Sequence, residues 1–169
     1  MTSGMMGVTV AISRRDQLCG ALSTRLARPD LCALVTPVPT AAQQATARIA
    51  QSLATDAFSR GDEFPITAID PTLFYRAASE MLCENIAVQA VDPTGGGGVY
   101  QGAQFAAGIS DMATRIMGYT PSDPKHAQAV TILTSHYQAV LATKASATNS
   151  LRSTFALACE SPTSLSFGL

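Results

Sequence analysis

Two histidines, four cysteines, a pair of glutamates one helical turn apart and a run of four glycines are the residues of this chain whose types could do chemistry. His126 and His136 are its only imidazoles, and both fall in one stretch of helical periodicity. Ten steps at about 100° per residue leave them about 80° out of register, so they do not readily grip one metal ion together. Ligation of haem or a metal by one histidine with Met81, Met112 or Met117 finds no Cys-x-x-Cys-His attachment motif here, and methionines at helical spacing are ordinarily core filler. Glu80 and Glu84 could share a cation, but their default reading is a solvated face. No metal and no cofactor is expected, and no cofactor-binding residue is assigned.

The glycines at 95 to 98 lack the following Lys-Ser/Thr and the preceding strand of a phosphate loop. A hinge, or a place where two backbones approach closely, explains them with fewer assumptions. Arg60-Gly61-Asp62 spells the tripeptide that integrins recognise, yet its glycine already serves as a helix terminator. Nothing assembles a nucleophile beside a base and an orienting carboxylate, so no catalytic residue is assigned and the chain is not read as an enzyme.

The cysteines at 19, 32, 83 and 159 form no C-x-x-C pair and have no histidine at zinc-finger spacing. Structural zinc is set aside, leaving two disulfides in an exported protein against four buried thiols in a cytosolic one; the disulfides are the favoured reading. Of the three possible connectivities, Cys19 with Cys32 and Cys83 with Cys159 is the choice made here. The first clips the end of one helix to the loop after it, and the second ties the central helix to the C-terminal one.

That central helix, Asp70 to Asp92, is the element around which the rest is expected to be arranged. Asp70 is a good N-cap, Pro71 suits the first helical position, and Asp92-Pro93 with the glycines forces a stop. Phe74, Ala78, Met81, Leu82, Ile86 and Val88 form its apolar arc, with Cys83 opposite Phe74 and flanked by Ala87 and Ala90, where another helix could dock closely. Asn85 falls within the arc and is expected to be a buried polar contact, bonding a loop backbone, with ligand contact as the lesser alternative.

Other helices are read from Ser13 to about Ala27 (Leu18, Cys19, Leu22, Leu26) and from Thr40 to Gly61 (Ala42, Ala45, Ile49, Leu53, Ala57, Phe58). Beyond the glycines, Phe105, Ile109, Met112, Ala113 and Ile116 mark a helix closed at Gly118. Asp123 and Pro124 cap the next, whose stripe is Val130, Leu133, Tyr137, Val140 and Leu141. The last begins near Ser146, carries Leu151, Phe155, Ala158 and Cys159, and stops at Ser161-Pro162. The expected fold is all-α: a single domain over residues 1–169 of about five to six helices in bundle-like or orthogonal packing. An arm at 1–11, a glycine-rich hinge at 93–99 and a tail at 162–169 complete it. The first two helices and the last two are expected to pair as antiparallel hairpins, with the central helix touching both groups.

Length and composition fit that reading. A chain of 169 residues can bury roughly two-thirds of its unfolded surface without metal or dense disulfides. Charged residues are 14% and the net charge is -1, which speaks against nucleic acid as a partner. No apolar run approaches the roughly 20 residues of a membrane span, and Met1 to Val10 lacks the cationic start and long apolar stretch of a signal peptide.

Three segments, Arg15-Asp16-Gln17-Leu18-Cys19, Leu73-Phe74 with Arg76-Ala77 and Cys83, and Phe155-Ala156-Leu157-Ala158-Cys159 with Ser161-Pro162, resemble parts of exported helical proteins and lipoproteins of myxobacteria-like Gram-negative bacteria. The resemblance implies an envelope location, periplasmic or secreted, and structural cysteines; it transfers no activity. The expectation is a non-enzymatic helical structural or interaction module with a protein partner or a second copy of itself, possible as one subunit of a larger assembly. A helical protein holding a small apolar ligand or cofactor is the alternative, and a cytoplasmic location the alternative address.

Overall fold

The structure, a computed structural model, describes residues 22–28, Gln44 and residues 73–165. The arm at 1–11, the helix over 40–61 apart from Gln44, the Arg60-Gly61-Asp62 triplet, the Asp70 cap and the Cys19–Cys32 pairing lie outside the described residues. Within them the fold is all-helical, as expected, with no strand. Six helical elements follow one another: α1 (Leu73–Ala90), a 3-10 turn (Gly102–Gln104), α2 (Phe105–Arg115), α3 (Pro124–Ala142), α4 (Ala147–Cys159) and the short α5 (Pro162–Leu165). Residues 22–25 are helical too, and Ala27 closes that segment with a left-handed φ of 52°.

Local chemistry sets most of the helix ends. The Asp123 carboxylate accepts the Lys125 N–H at 2.8 Å, with Pro124 in the first turn, and Ser146 accepts from Asn149 N–H at 3.2 Å. Gly118 takes the positive φ of 78° that turns the chain away after α2, and the Tyr119 N–H reaches back to the Ala113 carbonyl at 3.1 Å. Residues 162–165, expected as tail, form one more helical turn. The Ser164 hydroxyl there lies 2.8 Å from the Ile116 carbonyl and 2.9 Å from that of Ala158.

Among the described residues the element with most neighbours is α4 rather than the Asp70–Asp92 helix. It packs against α1, α2, α3, the 3-10 turn and α5, whereas the described packing of α1 is mainly on α4. Composition explains the reversal. Leu151, Phe155 and Ala158 are fully buried, and so are Ser150 and Thr154 on other sides of the same helix. A helix whose buried polar positions are small Ser and Thr can be approached from several directions. Helices α3 and α4 form an antiparallel hairpin across the turn at 143–146, as expected for the last pair. Helix α1 also runs antiparallel to α4, since Cys83 meets Cys159 while Arg152 meets Val91.

The buried face of α1 is rotated by about 100°, one residue step, from the expected arc. Leu82 and Ile86 are buried as foreseen, but Cys83, Ala87 and Ala90 share their face, while Met81 and Val88 stand exposed at 51% and 42%. Small side chains let α4 come close on the Cys83 side, and that close approach outweighs two larger residues. In α3 the stripe narrows to Leu133 and Tyr137, joined by Ala129; Val130 and Val140 are half-buried and Leu141 is exposed. Helix α2 buries Ile109, Met112 and Ala113, with Ile116 just beyond its end. Leu22 and Leu26 reach the same core from the N-terminal segment.

Candidate functional site

Among the described residues, a polar cluster gathers where α1 ends, around Asp92 and Arg152. Asp92 follows the last turn of α1 with a left-handed φ of 40°, a conformation that Asp tolerates better than most residues. Its Oδ2 accepts the Gly102 N–H at 2.9 Å and the Thr148 hydroxyl at 2.7 Å. Those bonds hold its carboxyl below the ordinary range, the Gly102 amide first and Thr148 second; burial opposes them, and the charge of Arg152 adds the smallest contribution. Arg152 points its guanidinium at the end of α1. Nε and Nη2 donate to the Val91 carbonyl at 3.1 and 3.0 Å, and Nη2 donates to the Asp92 carbonyl at 2.9 Å. A cation thus sits on the carbonyls that a helix C-terminus leaves without partners.

Between these anchors runs the glycine loop. Its base is closed by Asp92 N–H to the Tyr100 carbonyl at 3.1 Å and Tyr100 N–H to the Ala90 carbonyl at 3.0 Å. Gly95, Gly96 and Gly97 have φ of 105°, 85° and 79°, which L side chains rarely adopt. Gly98 is required for a different reason, because a Cβ there would stand 2.5 Å from Pro93 Cδ. Close backbone approach, one of the two readings of the run, is therefore real at Gly98 and again at Gly102, whose Cβ would lie 2.8 Å from the Thr148 nitrogen. Arg28 donates to the Gly97 carbonyl of this loop, while Arg25 donates at 2.7 Å to the carbonyl of Ile116 beyond the end of α2.

Tyr100 closes the cluster from inside. Its ring packs 6.1 Å from that of Phe155, and its hydroxyl donates to Asp111 Oδ2 at 3.0 Å while Asp111 Oδ1 meets Arg115 Nε at 2.9 Å. Burial, reinforced by the Asp111 charge and hydrogen bond, pushes the phenol well above its ordinary value, so it stays a neutral donor.

Both histidines have structural partners on neighbouring helices. Thr114 gives its hydroxyl proton to the Ser110 carbonyl at 3.1 Å and so accepts from His126 Nε2, 3.2 Å away, joining α3 to α2. His136 Nε2 lies 2.9 Å from Ser153 Oγ and joins α3 to α4. Cys83 and Cys159 are disulfide-bonded, S–S 2.05 Å and Cα–Cα 5.8 Å, as the sequence led us to expect. Asn85 corrects an expectation: it is half-exposed, and its Nδ2 donates to the Met81 carbonyl at 2.8 Å, on its own helix rather than on a loop. The rotation of the α1 face puts it at the margin of the core. Glu80 and Glu84 are exposed. An open groove of about 470 Å³ runs beside Ala127, Gln128, Thr131 and Ile132 on α3.

Sequence reasoning did not anticipate the Asp92–Thr148–Arg152 cluster. A signal was present in Arg152, the one cation in a helix otherwise made of small and apolar residues with Asn149. Chemically the cluster is a clamp: its donors and acceptors meet one another and the backbone. The chain matches no protein-family model, no curated protein and no solved structure. No described helix is long and apolar enough to cross a membrane.

Proposed function

We propose that this protein is a non-enzymatic helical interaction module of an oxidising, extracytoplasmic compartment such as a bacterial envelope. The observation that carries the reading is the exposed apolar line on α1. Ala77, Met81 and Val88 lie on one side of the helix, turned away from α4, with Glu84 among them. The buried Cys83–Cys159 bond supports the compartment, because such bonds form and persist where thiols are not kept reduced. Among the described residues, the side chains of Asp92, Tyr100, His126, His136 and Arg152 bond to neighbouring helices and loops.

Cross-linking of the full chain in its native compartment tests the interaction reading. Wild type should give a species above the monomer mass, and a Met81→Lys/Val88→Lys variant should lose it while keeping its helical spectrum. Monomer alone from wild type, or the same species from both, counts against the reading. Mass measurement after alkylation tests the compartment, since four alkylated thiols in unreduced protein would remove its support.

A further inference from the structure

We propose that the Thr94–Gly98 loop is a site where the folded chain can be cut by an endopeptidase that accepts glycine on both sides of the scissile bond. The product is a two-chain molecule joined by the Cys83–Cys159 disulfide. Adjacent glycines occur in this sequence only at 95 to 98, so such an enzyme has a single target. Thr94, Gly95, Gly96 and Gly97 are exposed, and nothing lies within 4 Å of a Cβ built on Gly95, Gly96 or Gly97. A protease cleft binds its substrate extended. The positive φ angles of this loop are not extended, but glycine crosses between the two regions at little cost, which no other residue type would do here. Opening the loop gives up one backbone bond, Gly96 N–H to the Pro93 carbonyl at 3.0 Å, and the Arg28 contact to Gly97.

The contacts that hold the loop's base lie outside the glycines and survive the cut. They are the two backbone bonds between Ala90, Asp92 and Tyr100, the Asp92 bonds to Gly102 and Thr148, and the Arg152 bonds to Val91 and Asp92. Hydrolysis adds one water across an amide, leaving a carboxylate on Gly96 and an ammonium on Gly97 if the middle bond is cut, with no change of oxidation state. Cys83 then belongs to the first fragment and Cys159 to the second, and the disulfide is the covalent link between them.

The test treats the oxidised full-length chain with a glycyl-glycine endopeptidase, beside a reduced and unfolded sample that calibrates enzyme activity. The expected product is one species heavier by one water, with its helical circular dichroism retained, that splits into fragments meeting within residues 95–98 only when a thiol reductant is added under denaturing conditions. The proposal is overturned if the folded chain stays intact while the unfolded sample is consumed. Fragments that part without reductant, or a helical signal that collapses on cutting, overturn it equally.

Discussion

Cys83, in the middle of α1, is bonded to Cys159, the last residue of α4, and each side chain is only 2% exposed. The bond closes a sequence separation of 76 residues that contains α2, α3 and nearly all of α4. On the loop-entropy model a closure of that length restricts the unfolded chain by about 4.5 kcal/mol. The double variant Cys83→Ala/Cys159→Ala is therefore expected to lose about 3 to 4.5 kcal/mol, allowing for relaxation around the two alanines. Urea unfolding of both proteins without reductant measures it; a midpoint unchanged within error would contradict the assignment of the bond as a main support.

How much of this was legible in the residues follows from how local each feature is. The Asp123-Pro124 start, the Ser146 cap and the Gly118 turn are each written within a few positions, and all three are found. On α1 the close docking expected at Cys83, Ala87 and Ala90 is found, whereas Met81 and Val88, which periodicity places in the apolar arc, are exposed. Arg152 and Val91 are 61 residues apart, and the partners of His126 and His136 sit on other helices. Spacing within one helix carries no information about such pairs. The Cys83–Cys159 pair was within reach because four cysteines allow only three connectivities.

Arg152 is expected to matter far more than its half-exposed position suggests. Arg152→Met keeps the length of the side chain but leaves the Val91 and Asp92 carbonyls without donors, at a cost of about 2 to 3 kcal/mol. Lysine should recover only part of this, since a point charge cannot reproduce the fork that grips two carbonyls. Arg115→Met is the control: its pair with Asp111 is an i,i+4 surface contact, 46% and 34% exposed, and its loss should cost about 0.5 kcal/mol or less. Equal effects at the two arginines would mean that Arg152 is not the clamp described.

Asp92 ties stability to pH with a definite sign. Its carboxyl is held below its ordinary value, foremost by the Gly102 amide and then by Thr148. A group whose folded pKa lies below the unfolded value of about 3.9 contributes stability that is fully present above that value and is lost as pH falls through the folded pKa. Wild type should therefore weaken more steeply below about pH 4 than Asp92→Asn, a substitution that tolerates the left-handed φ and retains an oxygen acceptor. Thermal melts from pH 6 down to pH 2 compare the two, and parallel curves would show that the carboxylate contributes nothing specific.

Gly102 should accept no side chain. A Cβ there meets the Thr148 nitrogen at 2.8 Å and the Ala147 carbonyl carbon at 3.0 Å, both backbone atoms at the start of α4 that cannot swing aside. Gly102→Ala is expected to push the 3-10 turn off α4, strain the Asp92 bond to the Gly102 amide and cost about 2 kcal/mol or more. Gly96→Ala, with open space around its Cβ but a φ of 85°, should cost only the left-handed penalty of about 1 to 2 kcal/mol. Urea midpoints that rank the two variants the other way would refute the close-approach argument.

Ser150 offers the opposite outcome, a substitution expected to stabilise. Its side chain is fully buried in α4 and its Oγ has no hydrogen-bond partner, although the Ser150 carbonyl accepts the Thr154 hydroxyl at 2.8 Å. Burying a hydroxyl without a partner costs about 1 to 3 kcal/mol, and alanine removes that cost while leaving almost the same volume. Alanine is also the better helix former by about 0.5 kcal/mol. Against these stands a void of one oxygen atom, which costs less than removing a methyl group does in a packed core. Ser150→Ala should then raise the unfolding free energy by about 1 kcal/mol, read as a higher urea midpoint with an unchanged slope. Thr154→Val, which removes a hydroxyl of the same helix that does have a partner, should move the midpoint down or leave it. A loss of stability in Ser150→Ala would mean that the hydroxyl has a partner after all.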